Sequence, residues 1–341
     1  MSFCASPIDK PLLTTPMLLF VNPASGGGLG LELMGILAGV KNLYIVQLPA
    51  EQDTWHLKYS EIVDDKNLRA VVAGGDGSVN WVVKLLSNYY DEDSRPPLAV
   101  IPLGTGNDMS RNLGWGSGMS KSALQLVARS IENMACTDHI EKIDVWSIAI
   151  QDKKTEEVQT HQMINYISLG AEGNVVMQYE TIRRAVQPLL CCQCMSKAMF
   201  VPAGFVNFCG KRNLSEYTNI ELINFDGYDS HPQKLKTLNG EKTLLVLSCK
   251  TIYAGKNLWR SPANPDMSDG KLEVLGQGGV CGITLTQIGI NVTRTIGQAD
   301  AIRMETSEPI AFQIDGEGMC VNGPSVFDIV KTGNYPMLFA Q

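Results

Sequence analysis

Three times before residue 110 the chain runs a short apolar segment into a glycine-rich turn and then into a helical pattern. The segments are "PMLLFVNP" before "ASGGGLG", "LRAVVAGG" before "DGSVNWVV", and "PPLAVIPLG" before "TGNDMSRN". Short, nearly continuous apolar runs are the pattern of strands buried on both faces of a parallel sheet. "NLYIVQLP" reads as a further strand. "DTWHLKYSEIVDD", with Asp53 or Thr54 as cap, "SVNWVVKLLSNYY" and "SKSALQLVARSIEN" read as helices. This alternation predicts a doubly wound parallel sheet.

Near residue 143 the periodicity changes. "KIDVWSIAI", "TNIELINFDG", "KTLLVLSCK", "GKLEVLGQGG" and "AIRMETSEPIAFQIDGEG" alternate apolar and polar residues with period two. They predict an antiparallel sheet or sandwich. "QDKKTEEVQTHQ" reads as a hairpin loop. "VVMQYETIRRAVQPLLCCQCMSKAMF" looks helical, and "GITLTQIGINVTRTI" fits a helix or a strand. The expected fold class is α/β plus all-β. A nucleotide-binding α/β domain spans 1–144 and a β-rich, sandwich-like accessory domain spans 145–341.

The chain's 341 residues suffice for two such cores. A net charge of −7 disfavours nucleic acid as a partner. Pro11 and Pro16 interrupt the early apolar stretches, and no window reaches the roughly 18 apolar residues of a spanning helix. Residue 2 is Ser, which argues against N-myristoylation. The expected location is the cytosol, with nine reduced cysteines. Cys191, Cys192 and Cys194 cluster, but no second pair follows to complete a zinc site.

In an open α/β sheet, loops after successive strands converge on one crevice. Here those loops are Asn22–Gly30, Gly74–Gly77 and Pro102–Asp108. Their glycines let backbone N–H groups approach a phosphate, and the helix behind each favours an anion. Asn22, Ser25, Asp76, Thr105, Asn107 and Asp108 are their polar residues. The P-loop pattern is absent, and no acid ends the second strand to bind a ribose, which disfavours a dehydrogenase. Asp76, Asp108 and Asp144 recur at element ends; bunched there they would imply a cation, usually Mg²⁺, and apart they would be caps or turn residues. Downstream, Asp315 and Glu317 stand two residues apart. On a strand they would aim together and could supply a general base; a plain Asp-Gly turn is the other reading.

Together these segments resemble the catalytic module of the eukaryotic-type diacylglycerol kinases, within the superfamily that includes sphingosine and ceramide kinases. The resemblance runs in order through "LLFVNPASGG", "AVVAGGDGSVNWVV", "AVIPLGTGNDMSRNLGWG", "IDVW", "NYISLGAEG", "DGKLEV" and "IAFQIDGEG". It implies transfer of the γ-phosphoryl group of ATP, with Mg²⁺, to the primary hydroxyl of diacylglycerol, giving phosphatidic acid. It places Gly74, Gly75, Asp76, Gly77 and Ser78 at the nucleotide phosphates, with Asn22, Ser25, Thr105 and Asn107 in the same site. Asp76, Asp108 and Asp144 match an acidic Mg²⁺–water network. Asp269 falls where bacterial relatives hold a structural Mg²⁺. Glu317 matches the general base and Asp315 its partner, in a cleft between the two domains.

Several positions depart from the family. Ser78 replaces a usual Thr, and Glu172 stands where Asp is common; if that acid touches the lipid glycerol, its longer arm alters the geometry there. Arg183 or Arg184, and Lys197, match basic positions that could meet phosphate or anionic lipid. The zinc modules that usually precede this region are missing, so a minimal enzyme and a catalytic fragment both fit. A bilayer substrate implies transient, peripheral membrane contact, with "PLLCCQCMSKAMFVPAGF" as the candidate segment and Cys191 or Cys192 as candidates for S-palmitoylation. The other readings are a kinase for a long-chain base or ceramide, and a non-catalytic regulator.

Overall fold

Strands β1 (Leu12–Val21), β2 (Lys41–Gln47), β3 (Arg69–Gly74) and β4 (Leu98–Pro102) form a parallel sheet in the order β2-β1-β3-β4. The structure is a computed structural model that describes residues 12–186, 212–225, 233–234, 238–260, 265–287 and 289–340. Alternate residues of β1 serve opposite faces, the period-two rule of a strand. Leu18 and Phe20 pack with α3 (Asp76–Tyr89); Met17, Leu19 and Val21 pack with α1 (Ser25–Leu37) and α6 (Val127–Cys136). The remaining helices here are α2 (Trp55–Lys58), α4 (Asp108–Asn112) and α5 (Lys121–Leu124). The long helix expected after Asp53 is therefore a single turn, pinned by the fully buried Trp55 against Phe20. Strand order reverses between β1 and β3, and that switch point opens the crevice.

The second half is antiparallel. Its strands are β5 (Ile140–Asp152), β6 (Val158–Met163), β7 (Tyr166–Gly170), β8 (Thr218–Ile223), β9 (Gln233–Lys234), β10 (Thr243–Leu247), β11 (Leu272–Gln277), β12 (Arg294–Ala299), β13 (Ala301–Thr306), β14 (Ile310–Ile314), β15 (Glu317–Val321) and β16 (Ser325–Leu338). Helix α7 (Ala171–Val186) follows β7, and α8 (Gly279–Gln287) follows β11. "GITLTQIGINVTRTI" thus divides, its first part helix and its last part strand. A six-stranded sheet, β12-β11-β10-β7-β14-β15, packs on strands β5, β6, β8, β13 and β16. Trp146, Ile148, Leu244, Val246, Ile302, Phe312 and Phe327 fill the space between.

The halves are joined through β16. It pairs along its length with β5 and reaches β4 in parallel at Met337–Leu98. The expected boundary at 144/145 falls inside β5, because that strand continues unbroken to Asp152. A single core links α3 and β3 to Val145, Tyr166, Leu245, Leu275 and Tyr335 of the second half.

Candidate active site

The three glycine-rich loops meet. Gly26, Gly27 and Gly28 all take positive φ, at 64°, 71° and 98°, which side-chain-bearing residues adopt only with strain. A methyl group on Gly26 would lie 2.9 Å from the Leu103 carbonyl of the third loop. One on Gly75 would lie 3.0 Å from Gly104 Cα, and one on Gly74 would strike Ser78 at 2.5 Å. The second loop caps α3, whose fourteen residues set the positive end of a helix dipole at Asp76–Ser78. Asn22 Oδ1 accepts the Ala24 N–H at 3.0 Å and Thr105 Oγ1 lies 3.3 Å from the Tyr179 hydroxyl. Asn107 is buried with φ 54°, and its amide donates to the carbonyls of Gly104 and Ser117, so it shapes the loop from within.

Asp76 and Asp108 form a pair across Gly106. A methyl there would lie 3.2 Å from Asp76 Oδ2 and 3.6 Å from Asp108 Oδ2. Asp76 accepts the N–H groups of Met109 at 2.8 Å and Asp108 at 3.1 Å; Asp108 Oδ1 accepts that of Ala254 at 2.9 Å. Burial raises the Asp76 pKa against those N–H groups. Burial, then the Asp76 charge, pushes Asp108 up to about 7. Two such carboxylates share a proton or share a cation.

Glu317 comes to the same place from the far end of the chain. A methyl group on Gly77 would lie 2.9 Å from Glu317 Oε1, so its exposed carboxylate rests against the second loop. Asp315 does not accompany it. Asp315 and Gly316, with φ of 48° and 90°, are the two turn residues between β14 and β15, which is the positive-φ requirement of a type I′ hairpin. The turn reverses the chain, so the two acids point apart. Asp315 is buried and accepts the N–H groups of Ile164, Asn165 and Tyr166 at 2.9, 2.8 and 3.0 Å. Burial pushes it to about 7 against those donors. Asp315 thus anchors the hairpin that carries Glu317.

A third acid lies behind the pair. Glu172, on the first turn of α7, is 3% exposed. It accepts the Tyr253 hydroxyl in a short hydrogen bond and lies 3.4 Å from that of Tyr166. Burial pushes it to about 7. Tyr253, Ala254 and Gly255 hold positive φ of 52°, 62° and 92° in succession, a costly run for two residues bearing Cβ. The strained turn delivers the Tyr253 hydroxyl to Glu172 and the Ala254 N–H to Asp108. Asn112 ties it down through Thr251, accepting its N–H and donating to its carbonyl, both at 3.0 Å. Sequence reading missed this strap; "YAG" carries no signal beyond one glycine after an aromatic.

Asp144 is placed elsewhere than expected. It is fully buried on β5, pairs with Lys331 at 2.5 Å and accepts the Gly270 N–H at 2.7 Å. It sits beside Asp269, whose pKa burial raises, then Asp266 and Asp144. The β5–β16 register sets it opposite Asn334, and among the described residues it does not complete a three-residue metal cluster with Asp76 and Asp108. Lys197, Cys191, Cys192, Cys194 and the side chains of Arg183 and Arg184 lie outside the described residues. Among the described residues no helix is long and apolar enough to cross a membrane.

Family models for the diacylglycerol kinase catalytic domain and the diacylglycerol kinase accessory domain match residues 16–139 and 162–318. The chain belongs to the diacylglycerol kinase family. It is 30% identical to diacylglycerol kinase 2 of Arabidopsis thaliana over 97% of its own length and 47% of that protein's. It is 28% identical to diacylglycerol kinase iota of Rattus norvegicus, over 92% of the chain and 30% of the relative. The chain therefore spans half or less of these relatives. Two crystal structures named for diacylglycerol kinases of Bacillus anthracis share its fold. Their TM-scores are 0.58 and 0.51, at 20% and 19% identity, covering 98% and 95% of this chain and 98% and 97% of theirs.

Proposed function

We propose that the chain transfers the γ-phosphoryl group of ATP to the primary hydroxyl of diacylglycerol, forming phosphatidic acid and ADP. The observation that carries this reading is Glu317 resting on Gly77: a carboxylate from the second half stands where a phosphate cradle from the first half ends. In this reading the N–H groups of the Gly74–Ser78 turn and the start of α3 hold the phosphate chain, with Ser25 and Thr105 at its flanks. Asp76 and Asp108 fit a Mg²⁺ ion: they are adjacent, partly or wholly buried, and without an ion pair among the described residues. No third His, Cys, Asp or Glu joins them among the described residues, so phosphate oxygens and water would complete the shell. Bound Mg²⁺ would neutralise charge on the transferring phosphoryl group. Glu317 accepts the proton of the acceptor hydroxyl as it attacks. Asp315 fixes the turn that aims Glu317, and the strap at 253–255 fixes Asp108. Asp269 stays a candidate for a structural Mg²⁺ beside Asp144.

The test offers γ-labelled ATP with mixed micelles of diacylglycerol, sphingosine and ceramide. Labelled phosphatidic acid as the main product supports the reading. Phosphorylated sphingosine or ceramide as the main product, or nucleotide binding with no transfer, overturns it.

A further inference from the structure

Helix α8 follows β11, and apolar side chains stand exposed at its end and on the loop after it. Leu285 is 36% exposed, and Ile290 and Val292 on the following loop are 54% and 41% exposed. One cation stands beside the loop and a second at the start of the helix. Arg260 donates to the Asn291 carbonyl, and the Lys242 side chain lies over the start of α8, 3.2 Å from a methyl placed on Gly279. Among the described residues neither forms an ion pair, in a chain of net charge −7. Arg294 stands nearby, paired with Glu241.

This edge is wired to the site. Thr286 Oγ1 accepts from Gln277 Nε2 at 2.8 Å, and Gln277 Oε1 lies 3.4 Å from the Tyr253 hydroxyl that bonds Glu172. On its inner side Val280 packs with Val175 and Tyr179 of α7, and Tyr179 reaches Thr105. Three apolar side chains are too few for a stable protein interface, which takes roughly 800 Å² per partner. They suffice for a shallow wedge among headgroups, where bordering cations add attraction to anionic lipid.

We infer that the α8 edge, Leu285 with Ile290 and Val292 flanked by Lys242 and Arg260, is the surface that docks on an anionic bilayer. The inference rests on the diacylglycerol kinase reading only for its purpose; vesicle binding is measured without turnover. Flotation of the 341-residue chain on phosphatidylcholine vesicles, with and without phosphatidylserine, tests it. The triple variant Leu285→Glu, Ile290→Glu, Val292→Glu is expected to cut the vesicle-bound ratio roughly tenfold or more. Arg260→Gln is expected to cut only the phosphatidylserine-dependent part, about fivefold. Leu57→Glu with Leu126→Glu, at 69% and 66% exposure on the first half, is expected to change nothing. The triple variant should keep nucleotide binding and its rate on a water-soluble short-chain diacylglycerol below its micelle concentration. Ile290→Asn alone repeats the flotation should the triple variant misfold. Unchanged flotation of the folded variants overturns the inference. So does equal loss in the Leu57/Leu126 control, or a dimer of the parent chain that these substitutions make monomeric. Flotation that responds as expected without transfer to any diacylglycerol supports the surface and overturns only the kinase reading.

Discussion

Two acidic corners of this molecule look alike in sequence and differ in charge balance. Asp144 is buried with a cation of the chain's own, Lys331, 2.5 Å away. Asp76 and Asp108 face each other with backbone N–H groups and no ion pair among the described residues; the Ala254 N–H, then the nearby charge of Arg111 and the Gly255 N–H, draw Asp108 down. At the first corner Asp144 already has its counter-charge. The second carries unbalanced negative charge, a cost that buried carboxylates escape only by keeping a proton or gaining a cation. The two corners thus differ in how their charge is balanced, by a lysine of the chain's own at Asp144 and by backbone N–H groups at Asp76.

Substitutions can break that contrast. The largest effect belongs to Glu317, which faces the unbalanced corner across Gly77: Glu317→Gln is expected to lower kcat by about 10²-fold or more with nucleotide affinity kept. Wild-type turnover would remove it as the base. Asp76→Asn should raise the Mg²⁺ requirement and lower turnover by at least roughly tenfold, on the scale of lost electrostatic stabilisation. Asp144→Asn should do neither. An equal Mg²⁺ response from both variants would erase the distinction between the corners. Lys331→Met should instead cost stability, about 2–3 kcal/mol for a buried carboxylate left with a partly exposed partner removed, read by denaturant unfolding. An unfolding midpoint that does not move would show that the pair is not structural.

The smallest effect is in pH. Asp108, Glu172 and Asp315 keep their protons up to about pH 7 in the folded chain. Unfolded, they lose them near pH 4. The folded state therefore binds more protons between these values, and stability falls as pH rises from about 4 to 7. The metal-free chain should melt several degrees lower at pH 7.5 than at pH 5.5. Mg²⁺ with nucleotide should restore most of the loss at the higher pH, because Asp108 then meets a cation in place of its proton. A midpoint that rises with pH over this window would contradict the burial of these acids as unpaired groups.

The parallel half was legible because its information is local. Apolar runs, glycine turns and helical periodicity lie within a dozen residues of each other, and their alternation implies a crevice at the strand ends. The D-G-E segment was legible as a motif with two geometries, a strand and an Asp-Gly turn, and the structure has the turn. Read as a strand it aligns Asp315 with Glu317; folded as a two-residue turn it sends one acid inward to three backbone N–H groups and the other outward to Gly77. Asp144 was grouped with Asp76 and Asp108 because all three recur at element ends and match the family's acidic network; folded, it meets Lys331, a partner 187 positions away. The strap at Tyr253–Gly255 left almost no trace, since a run of positive φ at residues with Cβ is imposed by surroundings and runs against local preference.

Fold class, the three loops and the identity of the acids thus follow from local pattern, in which period and turn chemistry are carried by neighbouring residues. Which acids meet a cation of the chain's own, which stay unbalanced, and which one reaches the phosphate loops depend on contacts between residues more than a hundred positions apart. Such contacts depend on how β14, β15 and β16 pair and pack, and no short stretch of sequence contains that register.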